Sequence, residues 1–380
     1  MILVTLAGIF LIGWMLVDSF ESVVVPRRVM HRFQFARLYY RSFWLLWRTA
    51  ALRIQPRKLR ESMLSWFGPL SLLGLFAFWM SGLISGFAVI HWSLGTPVHA
   101  PEAQPNFISY LYLSGVTFFT LGYGDVTPVA PFGRLLAVLE TGIGFGFLAA
   151  MIGYLPVLYQ AFSRREATIG LLDARAGSPP TAAQFLLRLA GAGNMRAADP
   201  FLAEWERWSA EVLESHLSFP TLSFYRSQHD NQSWVAALTA ILDTCSLLIV
   251  GLPEGETHQA QLTFAMARHA AVDLSLVLRA KPVRPEVDRL SSDLLLNLRG
   301  QLTAAGFQMR DGAAGESRLR ELRSMYEPFV EAVGRRLLFA LPPFVPAQAT
   351  ADNWQRSPSM PRTPGIGSLP TCGAGESHFG

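Results

Sequence analysis

The sequence predicts an all-α membrane protein, on three observations: a high apolar content, charge-free runs of bilayer length, and cations gathered on one side of those runs. Of 380 residues, 51% are hydrophobic and 16% charged, with a mean hydropathy of +0.27. That is too apolar for an ordinary soluble domain or a disordered chain. Residues 68–90 carry no charge, which gives about 34 Å of helix against a hydrocarbon core of about 30 Å. Residues 133–162 are apolar except for Arg134 at the mouth and Glu140 inside, and residues 1–17 are uncharged. Three spans are therefore expected. Two cysteines, Cys245 and Cys372, exclude a secreted disulfide scaffold.

Cations set the orientation, because short cytoplasmic loops retain Lys and Arg. Ten of the 32 cations, and no acid, lie in residues 27–60, which places that segment in the cytoplasm. Residues 91–133 hold no Lys or Arg and suit an external loop; Arg164 and Arg165 mark the return to the cytoplasm. The chain is thus expected to be multi-pass in the cell membrane, with its amino terminus outside and its carboxy-terminal part cytoplasmic. A cleaved signal peptide carries its cations before the apolar run. Here they follow it, which favours a retained anchor over residues 1–25. Residues 33–54 are aromatic and basic, with Arg37, Arg41 and Arg48 on one helical face, and predict a helix lying in the inner interface. Arginine spacings of four and seven do not suit a voltage sensor. Inner arginines, Arg164 and Arg165 among them, are placed to meet anionic lipid headgroups, although such pairs usually act as topological anchors.

Between the second and third runs, residues 106–128 read N-F-I-S-Y-L-Y-L-S-G-V-T-F-F-T-L-G-Y-G-D-V-T-P. This apolar segment is too short to cross a bilayer, and irregular backbone at membrane depth survives only where protein buries it or it lines an aqueous cavity. The expected form is a helix that dips in from outside and a strand-like return. Glycines at alternate positions, Gly122 and Gly124, let peptides take conformations that L-residues resist. Carbonyls of Thr120, Leu121, Gly122 and Tyr123, with the Thr120 hydroxyl, can then replace the water around a potassium ion, and Asp125 adds negative charge at the mouth.

This segment resembles the potassium-channel signature T-V-G-Y-G-D preceded by a threonine three residues earlier, matched at Thr117, Thr120, Gly122, Tyr123, Gly124 and Asp125. Leu121 departs from the commoner Val or Ile and puts the degree of selectivity in question. The resemblance, over residues 66–162, implies the two-helix pore module of the potassium channel superfamily in its prokaryotic type: outer helix, pore helix, filter and inner helix. One filter per chain implies four chains around an axis, a homotetramer with cyclic symmetry. K⁺ is then the permeant ion, with no cofactor and no metal beyond it.

In the third run Gly142, Gly144 and Gly146 cluster, and Pro156 follows. Close helix contact accounts for such glycines; a hinge is the other reading, with Gly144 at the place where resembling channels bend and Pro156 setting the inner mouth. Phe145, Leu148 and Ile152 would line the cavity and gate by dewetting. Glu140 is either a cavity charge or a support behind the filter. The second is favoured, because Val116 stands where some members of the family place a carboxylate. Asp18 and Glu21 end the first span within reach of the interface.

Beyond residue 165 the composition becomes mixed and helical. Asp199-Pro200 reads as a helix start, and further helices are expected over residues 233–250, 257–280, 285–305 and 316–340. A cytoplasmic bundle of five or six helices follows. Residues 233–250 tempt a fourth span, but Asp243 at the centre favours a buried helix. His216, His229, Asp230 and His258 are read as structural rather than metal-binding, as are His269 and Asp273 at i, i+4. No G-x-G-x-x-G follows a strand, so a Rossmann-like regulator is not supported, and the regulator of this domain is unnamed. Residues 346–380 are rich in Pro, Ser, Gly and Thr and predict a disordered tail.

The expected organisation is residues 1–64 as anchor and interfacial helix, 65–163 as pore, 164–345 as cytoplasmic domain and 346–380 as tail. The expected activity is passive, potassium-selective conduction. The rivals are a poorly selective cation channel and a membrane signalling protein with a vestigial pore. No nucleophile, base and oxyanion set points to an enzyme, and nothing points to nucleic acid.

Overall fold

The computed structural model describes residues 1–23, 35–102, 104–193, 195–227, 232–310 and 312–346. His229, Asp230, Cys372 and the expected tail lie outside the described residues. The structure is that of an all-α membrane protein, with α-helices α1 to α12 and a single pair of two-residue strands among the described residues. Contacts divide it into two compact units, Met1–Gln160 and the chain from Ala161 onward.

In the first unit α1 (Ile2–Val23) packs along α3 (Arg57–Ser93) in the opposite direction. Small residues set the approach: a Cβ on Gly82 would strike the Met15 side chain, and one on Gly86 would strike Ile12. Lipid offers no hydrophobic drive between helices, so such close packing supplies the contact. The Thr5 and Ser93 hydroxyls lie 2.8 Å apart at one end of the pair.

Near the other end Asp18 corrects the sequence reading. Its carboxylate is buried rather than interfacial and accepts from the backbone N–H groups of Phe35 (2.9 Å) and Ala36 (3.4 Å) and from Trp79 Nε1 (2.8 Å). A carboxylate from one helix thus caps the amino-terminal end of another, α2 (Phe35–Leu52), where orphan donors and the helix dipole favour negative charge. The aromatic face of α2 lies along α3: Phe35 stacks on Phe78, Phe43 and Trp44 pack on Phe67, and Trp47 Nε1 donates to the Met63 carbonyl. Arg37 and Arg41 are exposed on the other side.

After α3 come β1 (Val98–His99), α4 (Phe107–Phe118), β2 (Thr127–Pro128) and α5 (Pro131–Ala176). The strands pair antiparallel, Val98 opposite Pro128 and His99 opposite Thr127. Asn106 starts α4 with a capping box: its side chain accepts from the Ile108 and Ser109 backbone, and the Ser109 hydroxyl accepts from the Asn106 N–H. α5 continues unbroken through Pro156.

The second unit holds the rest of α5 and α6 (Ala182–Gly191), α7 (Ala198–Ser218), α8 (Trp234–Gly251), α9 (His258–Val277), α10 (Ser292–Ala304), α11 (Ala313–Ser324) and α12 (Glu327–Leu337). α8 is long and apolar enough to cross a bilayer, yet 94% of its apolar window is buried inside the protein, against 22% for α1 and α5. Asp243, at its centre, accepts from both terminal nitrogens of Arg289 and from the Tyr326 hydroxyl. Burial raises the Asp243 carboxyl above the usual range, and the Arg289 cation works against that rise.

Several helix boundaries differ from the sequence reading. α7 begins at Ala198, so Asp199 lies in its first turn rather than at its cap. The helix expected from residue 285 begins only at Ser292, where Ser291 Oγ accepts from the Leu294 N–H; the segment before it is irregular, with bends at residues 286–287 and 289–290, and carries Arg289 to Asp243. The helix expected over 316–340 breaks at Met325–Tyr326, because Pro328 lacks the N–H that would bond to the Ser324 carbonyl and its ring crowds that carbonyl. Arg165 corrects the lipid expectation: its side chain is buried, bonded to the carbonyls of Leu222 and Tyr225. Arg164 is exposed.

Candidate ion-conduction site

The segment after α4 is built from its backbone. The helix closes with the Phe119 N–H on the Gly115 carbonyl, the Thr120 N–H on Thr117 and the Leu121 N–H on Val116. From there φ alternates in sign: Thr120 at +56°, Gly122 at +60° and Gly124 at +80°, with Leu121 and Tyr123 negative between them. In an ordinary strand successive carbonyls point to opposite sides; alternating handedness turns every second peptide and brings them to one side. Cβ atoms at Gly122 and Gly124 would meet no neighbour, so conformation and not space requires glycine there. Thr120 holds its positive φ at a cost of about 1–2 kcal/mol, and nothing in a β-branched residue signals this in the sequence.

Residues 119–125 are exposed, with Leu121 at 53% and Tyr123 at 69%. Asp125 is tied on both oxygens: Oδ2 accepts from the Tyr112 hydroxyl at 2.8 Å and Oδ1 from the Val126 N–H at 3.0 Å. Sequence reasoning missed Tyr112, whose place on α4, thirteen residues earlier, carries no local signal. Thr117 is half-buried in the last turn of α4.

Glu140 lies beside α4. Glu140 is fully buried on α5, and the Ser114 hydroxyl of α4, also fully buried, comes close to its carboxylate without closing a hydrogen bond of full geometry. Gly144 touches α4 more closely still, since a Cβ there would collide with the Phe118 carbonyl. Close contact is therefore what the structure gives Gly144. Phe147 lies against both Trp79 and Phe118, and Tyr154 against Phe76, so one face of α5 is committed to α3 and α4. Phe145 (68% exposed) and Ile152 (72%), with exposed Pro156 and half-buried Leu148, lie off that face.

The Tyr110 hydroxyl donates to the Thr96 carbonyl and the Val129 N–H to the Pro97 carbonyl, holding α4 and β2 to the end of α3. α3, the short helix α4, the irregular return and α5 thus form one packed module with the return segment bare.

Residues 76–160 match the family model of ion channels. The matched stretch starts within α3 and ends with the first unit, so it covers α4, the return segment and the apolar part of α5. An uncharacterized membrane protein of Bacillus subtilis, YdjJ, is 25% identical over 207 residues, which is 50% of this chain and 56% of that protein. Protein LctB is 36% identical in Bacillus caldotenax and 38% in Geobacillus stearothermophilus, each over 84 residues, 20% of this chain and 62% of LctB. The chain spans about three fifths of the length of these curated relatives. No solved structure matches it.

Proposed function

We propose that this protein is a passive potassium channel in the cell membrane, formed by four copies around a common axis. The observation that carries this reading is the alternation of φ at Thr120, Gly122 and Gly124 within the T-L-G-Y-G-D segment. Four such segments would stack rings of carbonyls from Thr120, Leu121, Gly122 and Tyr123, where K⁺ exchanges its hydration shell for protein oxygens and moves by knock-on between sites. Asp125, held by Tyr112, supplies charge at the outer mouth, and Thr117, Glu140 and Ser114 support the segment from behind. A backbone ring that one chain leaves exposed, with Leu121 and Tyr123 bare beside it, is completed by neighbouring copies.

In this reading α1, α3 and α5 span the bilayer with the amino terminus outside, α4 dips in from outside, and the unit from Ala161 onward is a cytoplasmic domain. Phe145, Leu148 and Ile152 line the inner cavity, with Pro156 toward its inner mouth. Arg37 and Arg41 are placed for anionic headgroups at the inner face.

The test is ion flux through the purified protein in liposomes, comparing K⁺ with Na⁺, with the oligomeric state read by native mass spectrometry. Flux carried by K⁺ and abolished by Gly122→Ala is the expected result. Equal K⁺ and Na⁺ flux would reduce the function to a poorly selective cation channel, the direction in which Leu121 points. No flux from a verified tetramer across the conditions tested would favour a signalling protein with a vestigial pore.

A further inference from the structure

The helix that lines the pore does not stop with the pore. α5 runs on to Ala176, and Arg165 on this continuation is buried against α7 and the 3₁₀ turn Pro220–Phe224. Its guanidinium donates to the carbonyls of Leu222 (3.0 Å) and Tyr225 (2.8 Å) and to Glu166 Oε1 (2.9 Å). Its own carbonyl accepts from Trp208 Nε1 at 3.3 Å. The guanidinium also lies over the Phe162 ring of α5 and meets His216 of α7, whose Nε2 lies 3.2 Å from Arg165 Nη1.

The tautomer of His216 follows from its two neighbours. Nδ1 stands 2.7 Å from the Val212 carbonyl, which only accepts, so Nδ1 carries the proton. Nε2 faces a guanidinium, which only donates, so Nε2 offers its lone pair. A second proton on this ring would fill that lone pair, leave an Arg165 N–H without its acceptor, and set two cations face to face in a buried site.

We propose that Arg165 and His216 form a proton-releasable latch that fastens the continuation of the pore helix to the cytoplasmic domain, so that acid changes conduction by freeing α5. This rests on the channel reading above. Among the described residues, the groups around His216 are Arg165 and its partner Glu166 from α5, the Trp234 ring of α8 at 4.8 Å, and Ser215 Oγ on its own helix at 3.3 Å from Nδ1. Arg165 is the charge that acts on it. Burial and then this cation hold His216 well below the ordinary imidazole range, against the Val212 hydrogen bond, so the latch stays closed near neutrality and opens only in acid.

Two measurements on the full-length protein test it. In liposomes, K⁺ flux at about pH 5 should differ from that at about pH 7.5 by about five-fold or more, the usual scale of a coupling between sites. That difference should vanish in His216→Gln and persist in His269→Gln, an exposed histidine elsewhere on the domain. Independently of conduction, backbone amides of residues 162–170 in the wild type, corrected for intrinsic exchange, should lose about ten-fold in hydrogen-exchange protection between those pH values. Unchanged protection overturns the latch, as does an equal loss in His216→Gln. An absence of flux at every pH would count against the channel reading alone, leaving the exchange experiment to decide the latch.

Discussion

The segment of residues 119–125 and the network around Asp243 use their polar groups in opposite ways. The first leaves its groups exposed and takes its shape from main-chain handedness at Thr120, Gly122 and Gly124. The second buries Asp243, Arg323 and Glu327 and joins them to half-buried Arg289 and exposed Asp288 through side chains. Asp243 binds Arg289 and Tyr326; Arg289 also donates to the Pro342 carbonyl; Arg323 donates to Glu327, to the Leu290 carbonyl and to Asp288; and both guanidiniums lie over the Phe344 ring. A main-chain device tolerates little change in backbone freedom and much change in neighbouring side chains. A side-chain network is the reverse. The first is suited to meeting an ion, the second to pinning residues 342–344 onto their domain.

Substitutions that break one region should therefore fail differently from those that break the other. The largest effect on stability is expected from Asp243→Ala, which leaves the half-buried Arg289 with only its longer carboxylate contact, to Glu327 (3.4 Å), and should cost about 3–5 kcal/mol, read as a lowered denaturation midpoint of the full chain. Acid should act next. His216 in the folded protein resists protonation while the unfolded chain takes up a proton below about pH 6.5, so its contribution is intact above that pH and declines as pH falls, by up to about 1.4 kcal/mol per unit. Burial raises Asp243 and Glu327, so the native state binds their protons more readily and these two groups favour folding as pH falls. A melting series against pH should thus fall less steeply in acid for His216→Gln than for the wild type. Gly122→Ala should cost only about 1–2 kcal/mol of strain at positive φ, and on the proposed channel reading it should abolish K⁺ flux. The smallest change is expected for Tyr112→Phe, which removes one exposed hydrogen bond to Asp125, about 1 kcal/mol or less, and should shift ion selectivity or conductance with little effect on melting.

The legible parts of the fold were those written in short windows. Charge-free runs located α1, α3 and α5, and alternate glycines marked the irregular return. Glu140 was readable as an ionisable group inside an apolar run, but its neighbour Ser114 was not. What escaped was held by partners far apart in sequence. Asp18 was readable as a charge near an interface, but its partners are Phe35, Ala36 and Trp79. Arg165 next to Arg164 has the look of a topological anchor, and only the fold brings Leu222, Tyr225 and His216 to it. Arg289 lies 46 residues from Asp243, so a helical pattern over residues 285–305 gave no reason to expect an irregular start. Thr120 defies its own propensity, and its conformation belongs to the segment as a whole.

The remote cap on α2 also orders how the molecule is made. During synthesis Asp18 emerges well before Trp79, and the first turn of α2 lies between them in the chain. Until α3 has been inserted, the carboxylate lacks its indole partner and α2 lacks the aromatic surface that Phe67 and Phe78 provide. Assembly of this corner must then wait for α3, so α1, α2 and α3 are completed together.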